Sequence, residues 1–134
     1  MFFPNVETTR DITVRVAVSY LAEQSDPASS RWFWSYHVRI ENVSTRSVQL
    51  LSRSWHILDG HGTVHEVRGE GVVGETPLIA SGASFDYVSG CPLDTPSGSM
   101  RGSYRMVDED GSAFDVAIPR FWLTARNYDC CRRS

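Results

Sequence analysis

From Ile12 onward, apolar side chains recur at every second position. Ile12, Val14, Val16, Val18 and Tyr20 alternate with Thr13, Arg15, Ala17 and Ser19. That period belongs to a β-strand, whose successive side chains point to opposite faces, and it is incompatible with an amphipathic helix. The pattern returns after the loop-type run Ser25-Asp26-Pro27-Ala28-Ser29-Ser30, where Trp32, Trp34, Tyr36, Val38 and Ile40 alternate with Phe33, Ser35, His37, Arg39 and Glu41. Further strands are expected at Val48 to Leu58, Thr63 to Val67, Ala83 to Ser89, Met100 to Met106 and Phe114 to Ile118. Asp59-Gly60 and Asp110-Gly111 mark hairpin turns, because Asp and Gly tolerate the positive φ such turns require. No window carries the i, i+3, i+4, i+7 apolar spacing of a helix.

About seven short strands separated by turn signals predict an antiparallel two-sheet sandwich of the fibronectin-type-III or immunoglobulin kind, with a closed barrel as the alternative. With 134 residues the chain has the size of one domain. Residues 1–10 read as an N-terminal extension, 11–123 as the sandwich and 124–134 as a C-terminal tail.

Composition narrows the function classes. A net charge of −3 argues against a nucleic-acid surface, which needs a basic face. All 13 basic residues are Arg, so a Schiff-base lysine and a phosphate-loop lysine are both excluded. The three cysteines, Cys91, Cys130 and Cys131, are odd in number and two are adjacent, a poor disulfide framework that points to a reducing compartment. The opening residues lack the basic start of a signal peptide, and no apolar run nears the length of about 18 residues that spans a bilayer. The expected location is the cytoplasm, with no membrane and no nucleic acid as partners.

Several motifs carry chemistry. Gly69-Glu70-Gly71-Val72-Val73-Gly74 fits G-x-G-x-x-G, followed by Glu75. In a dinucleotide fold a helix starts behind such glycines and its N-terminus holds the pyrophosphate. Here Pro77 follows three residues after Gly74 with no helical pattern, so the context fails. A nest of backbone N–H groups for a phosphate stays open, although Glu70 and Glu75 would repel an anion. His61 and His65 flank a hairpin turn, and with His56 and Glu66 they form the candidate set for a divalent ion, at a spacing unlike a zinc motif; the alternative is a solvent-facing hairpin. Asp108-Glu109-Asp110-Gly111 lacks the length of a calcium loop and reads as a solvated hairpin tip. Cys91, between Gly90 and Pro92, has no adjacent base and reads as a small packed thiol. Phe33 falls on the polar face of its strand, where an aromatic side chain marks either a contact patch or a surface covered by a neighbouring strand or the N-terminal extension.

The segments Val48-Gln49-Leu50-Leu51-Ser52-Arg53-Ser54-Trp55, Val67 through Pro77, Ser89-Gly90-Cys91-Pro92-Leu93, Thr95-Pro96 and Met106-Val107-Asp108-Glu109-Asp110-Gly111 together resemble the ApaG family. The resemblance runs from Asp11 to Leu123. It implies a fibronectin-type-III-like sandwich and a genetic link to cobalt resistance and magnesium efflux. It also implies kinship with a partner-recognition module of eukaryotic F-box proteins, and it brings no catalytic residues.

The sequence therefore leans away from an enzyme and toward a binding module with a protein partner. Its contact surface is expected at Gly69 to Glu75 and Phe33, and a homodimer through edge strands is open. The alternative is nucleotide or pyrophosphate binding at Gly69 to Gly74, with or without a metal. No cofactor is assigned; a divalent metal at His61 and His65 stays open.

Overall fold

The computed structural model describes residues 2–125. Among them are nine strands, two single 3-10 turns (Ala22–Gln24 and Pro27–Ser29) and no α-helix. The strands are β1 (Asn5–Thr9), β2 (Ile12–Tyr20), β3 (Trp32–Asn42), β4 (Val48–Asp59), β5 (Val64–Glu70), β6 (Leu78–Ile79), β7 (Ser84–Leu93), β8 (Ser97–Asp108) and β9 (Ala113–Thr124). They form the expected pair of antiparallel sheets, ordered β1-β2-β3-β7 and β5-β4-β8-β9, with β6 also pairing β4. No helix among the described residues is long and apolar enough to cross a membrane.

The alternation seen in the sequence is the alternation of burial. Val14, Val16, Val38 and Ile40 are fully inaccessible, and their strand neighbours face outward. Opposite them the second sheet contributes Leu50, Trp55, Tyr104, Met106, Val116 and Phe121. Burying each such side chain stabilises the fold by about 1.5–3 kcal/mol. The rings form a cluster: Trp55 meets Tyr36 edge-on with centroids 5.4 Å apart, and Phe121 at 6.0 Å. Trp34, also buried, donates its indole N–H to Thr124 O at 2.9 Å and so ties the two sheets together.

Four expectations are corrected. There are nine strands rather than about seven. Residues 5–9, expected as part of an extension, form β1 on β2, because Arg10 and Asp11 both adopt positive φ (49° and 64°) and close a two-residue hairpin. The strand expected at Thr63 to Val67 runs on to Glu70 as β5, and Leu78–Ile79 form a further short strand, β6. Finally, Pro92 and Pro119 do not end their strands. Both lie on edge strands, where a missing N–H is tolerated, and Pro119 also falls in the register shift opposite Met100 and Gly102. Cys130 and Cys131 lie outside the described residues, as does the tail from residue 126.

One irregularity decides the site. Leu50 pairs with Met106, Ser52 with Arg105 and Arg53 with Tyr104, so Leu51 is an extra residue in β4. A bulge of this kind shifts every later side chain to the other face. Past Leu51 the inward residues of β4 become Arg53, Trp55 and Ile57.

Candidate functional site

The glycine-rich segment is a tight turn that closes on itself. Gly71 N–H donates to Leu51 O at 2.8 Å, Val72 N–H to Glu75 O at 2.8 Å, and Glu75 N–H to Val72 O at 2.9 Å. Val73 and Gly74, the two central residues, have φ of 44° and 81°, the left-handed pair of a type I′ turn. Three of the amides that a phosphate nest would use are thus engaged within the protein. No helix stands behind Gly74. Val72 is buried, while Glu70, Val73 and Glu75 are exposed.

The glycines have separate reasons. Gly71 has φ of 63°, and a Cβ there would stand 2.2 Å from Glu75 O. Gly69 makes room for a neighbour: Arg53 crosses its backbone and donates from Nη1 to Glu70 O at 3.0 Å and to Gly71 O at 2.8 Å. The turn is therefore held by a guanidinium from the adjacent strand.

His61 and His65 converge on Asp59 rather than on each other. The Asp59 side chain is enclosed; its Oδ1 accepts the N–H groups of His61 (2.9 Å) and Thr63 (3.0 Å), and its Oδ2 bonds His65 Nε2 at 2.8 Å. The His65 hydrogen bond, against the opposing effect of burial and aided by the two backbone amides, holds this carboxyl below its ordinary range. Among the described residues no group of three or more His, Cys, Asp or Glu side chains is placed to hold a metal ion. Phe33 is half-buried on the outer face of β3, with its ring over Gly90: a Cβ at Gly90 would stand 2.5 Å from Phe33 Cε1.

Sequence reasoning missed a concavity between the two sheets. On one side of the sandwich β1 and β2 lie against β9 and close the gap between the sheets. On the other side the edge strands are β7 and β5, and between them opens a cavity of about 1040 Å³. Its walls bring together Trp32 and Tyr36 of β3, Arg53, Trp55 and Ile57 of β4, and His65 and Val67 of β5. Residues 89–93 of β7 and Arg31 in the preceding loop complete it. Phe33 reaches this rim, so it shares the site with the inward face of the glycine-rich segment's support, Arg53.

The chemistry of the cavity is apolar and weakly cationic. Among the described residues Asp94 is its single acidic lining residue, against Arg31 and Arg53. Burial raises the phenol pKa of Tyr36, opposed by a hydrogen bond from Ser89, so Tyr36 is a neutral hydroxyl at physiological pH. Burial also pushes the Cys91 thiol up to about 11, which leaves it protonated and a poor nucleophile. A concave apolar site with a few placed polar groups is the usual form of a binding pocket.

Comparison with known proteins gives consistent relatives. The ApaG domain model matches residues 22–108, from the loop before β3 to the end of β8. Protein ApaG of Allorhizobium ampelinum is 58% identical over 115 residues, covering 86% of this chain and 88% of that relative. Protein ApaG of Paramagnetospirillum magneticum is 56% identical over 117 residues, covering 87% and 90%. A crystal structure of a protein designated ApaA from Bordetella pertussis superposes with a TM-score of 0.82 at 48% identity, covering 90% of this chain and 97% of that one.

Proposed function

We propose that this chain, which belongs to the ApaG family, is a non-catalytic binding module that takes an extended segment of a protein partner into the cleft between β7 and β5. The observation that carries this reading is the cleft itself, about 1040 Å³ in volume and flanked by two strands that each have one unpaired edge. An exposed strand edge pairs readily with an added strand, whose backbone supplies affinity while alternate side chains enter pockets. Trp32 and Ile57, half-buried, and Val67, exposed, offer accessible apolar contacts in a cavity floored by the buried rings of Tyr36 and Trp55. Cys91, buried and protonated, supports a contact role in place of covalent chemistry.

The test is site-specific photocrosslinking in cells. A photoreactive side chain at position 94, exposed at the cleft, is compared with one at position 105, on the outer face of β8. A polypeptide adduct at 94 that is absent at 105 is the expected result. Equal labelling at the two positions, or none at 94, counts against the cleft as the contact surface.

A further inference from the structure

The cleft holds an inward-facing cation, Arg53, that makes no ion pair among the described residues. Arg53 shares its face with Tyr104, its fully buried register partner on β8, because the bulge at Leu51 turns Arg53 toward the interior. Guanidinium groups on interior faces are normally paired with carboxylates, since an uncompensated charge is costly to remove from water. Among the described residues Arg15, Arg39, Arg46, Arg68 and Arg105 each have a carboxylate partner, and Arg10, Arg31, Arg101 and Arg120, which do not, are exposed, whereas Arg53 is half-buried and has none. Its hydrogen bonds run from Nη1 alone, to two main-chain carbonyls.

That arrangement fixes the side chain and leaves Nε–H and Nη2–H without a hydrogen-bond acceptor among the described residues. Two such donors form the fork that a carboxylate accepts side by side. The absence of a side chain at Gly69 lets the planar group lie across β5, and the group lines the cavity. Around it stand hydroxyls and rings rather than acids: its charge acts on the phenols of Tyr36, Tyr87 and Tyr104.

Resting on the cleft reading above, we propose that Arg53 selects a carboxylate side chain on the bound segment, and that apolar side chains two residues away occupy the aromatic walls. In an extended segment, side chains two positions apart point the same way, so an acidic residue aimed at Arg53 places apolar neighbours along Trp55 and Trp32. The occupant is therefore a strand-forming polypeptide in which Asp or Glu alternates with apolar residues.

A displayed library of random heptapeptides, panned on the full chain, tests this. The expected outcome is enrichment of peptides with Asp or Glu next but one to an aromatic or branched apolar residue. For a selected peptide, changing its acid to the matching amide weakens binding at least about tenfold. Arg53→Gln abolishes that difference, bringing the two peptides within about twofold of each other, while Arg105→Gln on the outer face of β8, away from the cleft, preserves it. Peptides that bind in the cleft with no acid, or with equal affinity for acid and amide, overturn the role of Arg53 and leave the peptide-binding module standing. A library that yields no cleft-binding peptide overturns both. Should Arg53→Gln fail to fold, the acid–amide pair measured on the unaltered chain still decides.

Discussion

The guanidinium of Arg53 occupies the space where Gly69 would carry a side chain: a Cβ on Gly69 would stand 2.8 Å from Arg53 Cζ. The contact joins β4 to the end of β5 and connects the glycine-rich turn to the cleft. Gly69→Ala is expected to push the flexible end of Arg53 aside and weaken its two bonds to Glu70 O and Gly71 O. A stability loss of about 1–2 kcal/mol by urea unfolding is predicted, small because the displaced group can move. Gly71→Ala meets backbone that cannot move, Glu75 O at 2.2 Å, together with a positive φ. It is expected to cost more than Gly69→Ala, about 3 kcal/mol or above.

Val73 is a β-branched residue with φ of 44°, exposed at the first central position of a type I′ turn. Such residues resist left-handed backbone, whereas Asn accepts it. Val73→Asn creates the preferred Asn-Gly pair with Gly74 and is predicted to raise stability by about 1 kcal/mol. Gly74→Ala finds open space but keeps φ of 81°, and is predicted to lower stability by about 1 kcal/mol. Thermal unfolding of the two variants in parallel checks the opposite signs.

Asp59 predicts a pH dependence. Its carboxyl titrates below its ordinary value of 3.8 because it bonds His65 and two turn amides. A group with a depressed folded pKa contributes stability above its unfolded value, and that contribution disappears as pH falls through the folded value. Asp59→Asn keeps an acceptor for the turn but loses the charge. The variant is expected to be less stable than the parent at pH 7, with the gap narrowing below pH of about 4. Urea midpoints measured across that range follow it directly.

Tyr87 and Tyr104 share a hydroxyl–hydroxyl hydrogen bond inside the sandwich. Burial raises both phenols, so neither ionises at ordinary pH. Tyr104→Phe leaves the Tyr87 hydroxyl without this partner and is predicted to cost about 1–3 kcal/mol. The double variant with Phe at both positions is expected to be closer to the parent than the sum of the single changes, and a double-mutant cycle measures the difference.

Gly90 lies under the ring of Phe33, and a Cβ at Gly90 would stand 2.5 Å from it. Gly90→Ala is expected to lift the ring and expose it, with a stability loss of about 1 kcal/mol. Phe33→Ala should suppress the effect of Gly90→Ala, because the clash is then gone. Chemical unfolding of the two single variants and the double variant tests this coupling.

The alternation of Val14, Val16, Val38 and Ile40 was enough to specify strands, two apolar faces and a sandwich, because strand geometry repeats every two residues whatever the partner. The glycines at 69, 71 and 74 announced a special backbone in the same local way, and the lack of any helical pattern after Gly74 separated it from a dinucleotide loop. The sequence was silent on β1, since Arg10-Asp11 is not a usual hairpin pair and Val6 shows no clear alternation. Of the cleft it singled out only Phe33, at the rim, and was silent on Arg53.

Strict period two would have set Arg53 on the face opposite Leu50; the bulge at Leu51 puts it on the same one, and that bulge exists only in register with Met106 and Tyr104 on β8. The cleft has a similar origin. It is bounded by strands spanning residues 64–70 and 84–93, which the two sheet orders leave as free edges on the same side. Side-chain periodicity is a property of neighbouring residues and can be read along the chain. Register and edge position are properties of distant segments in contact, and only the packed structure decides them.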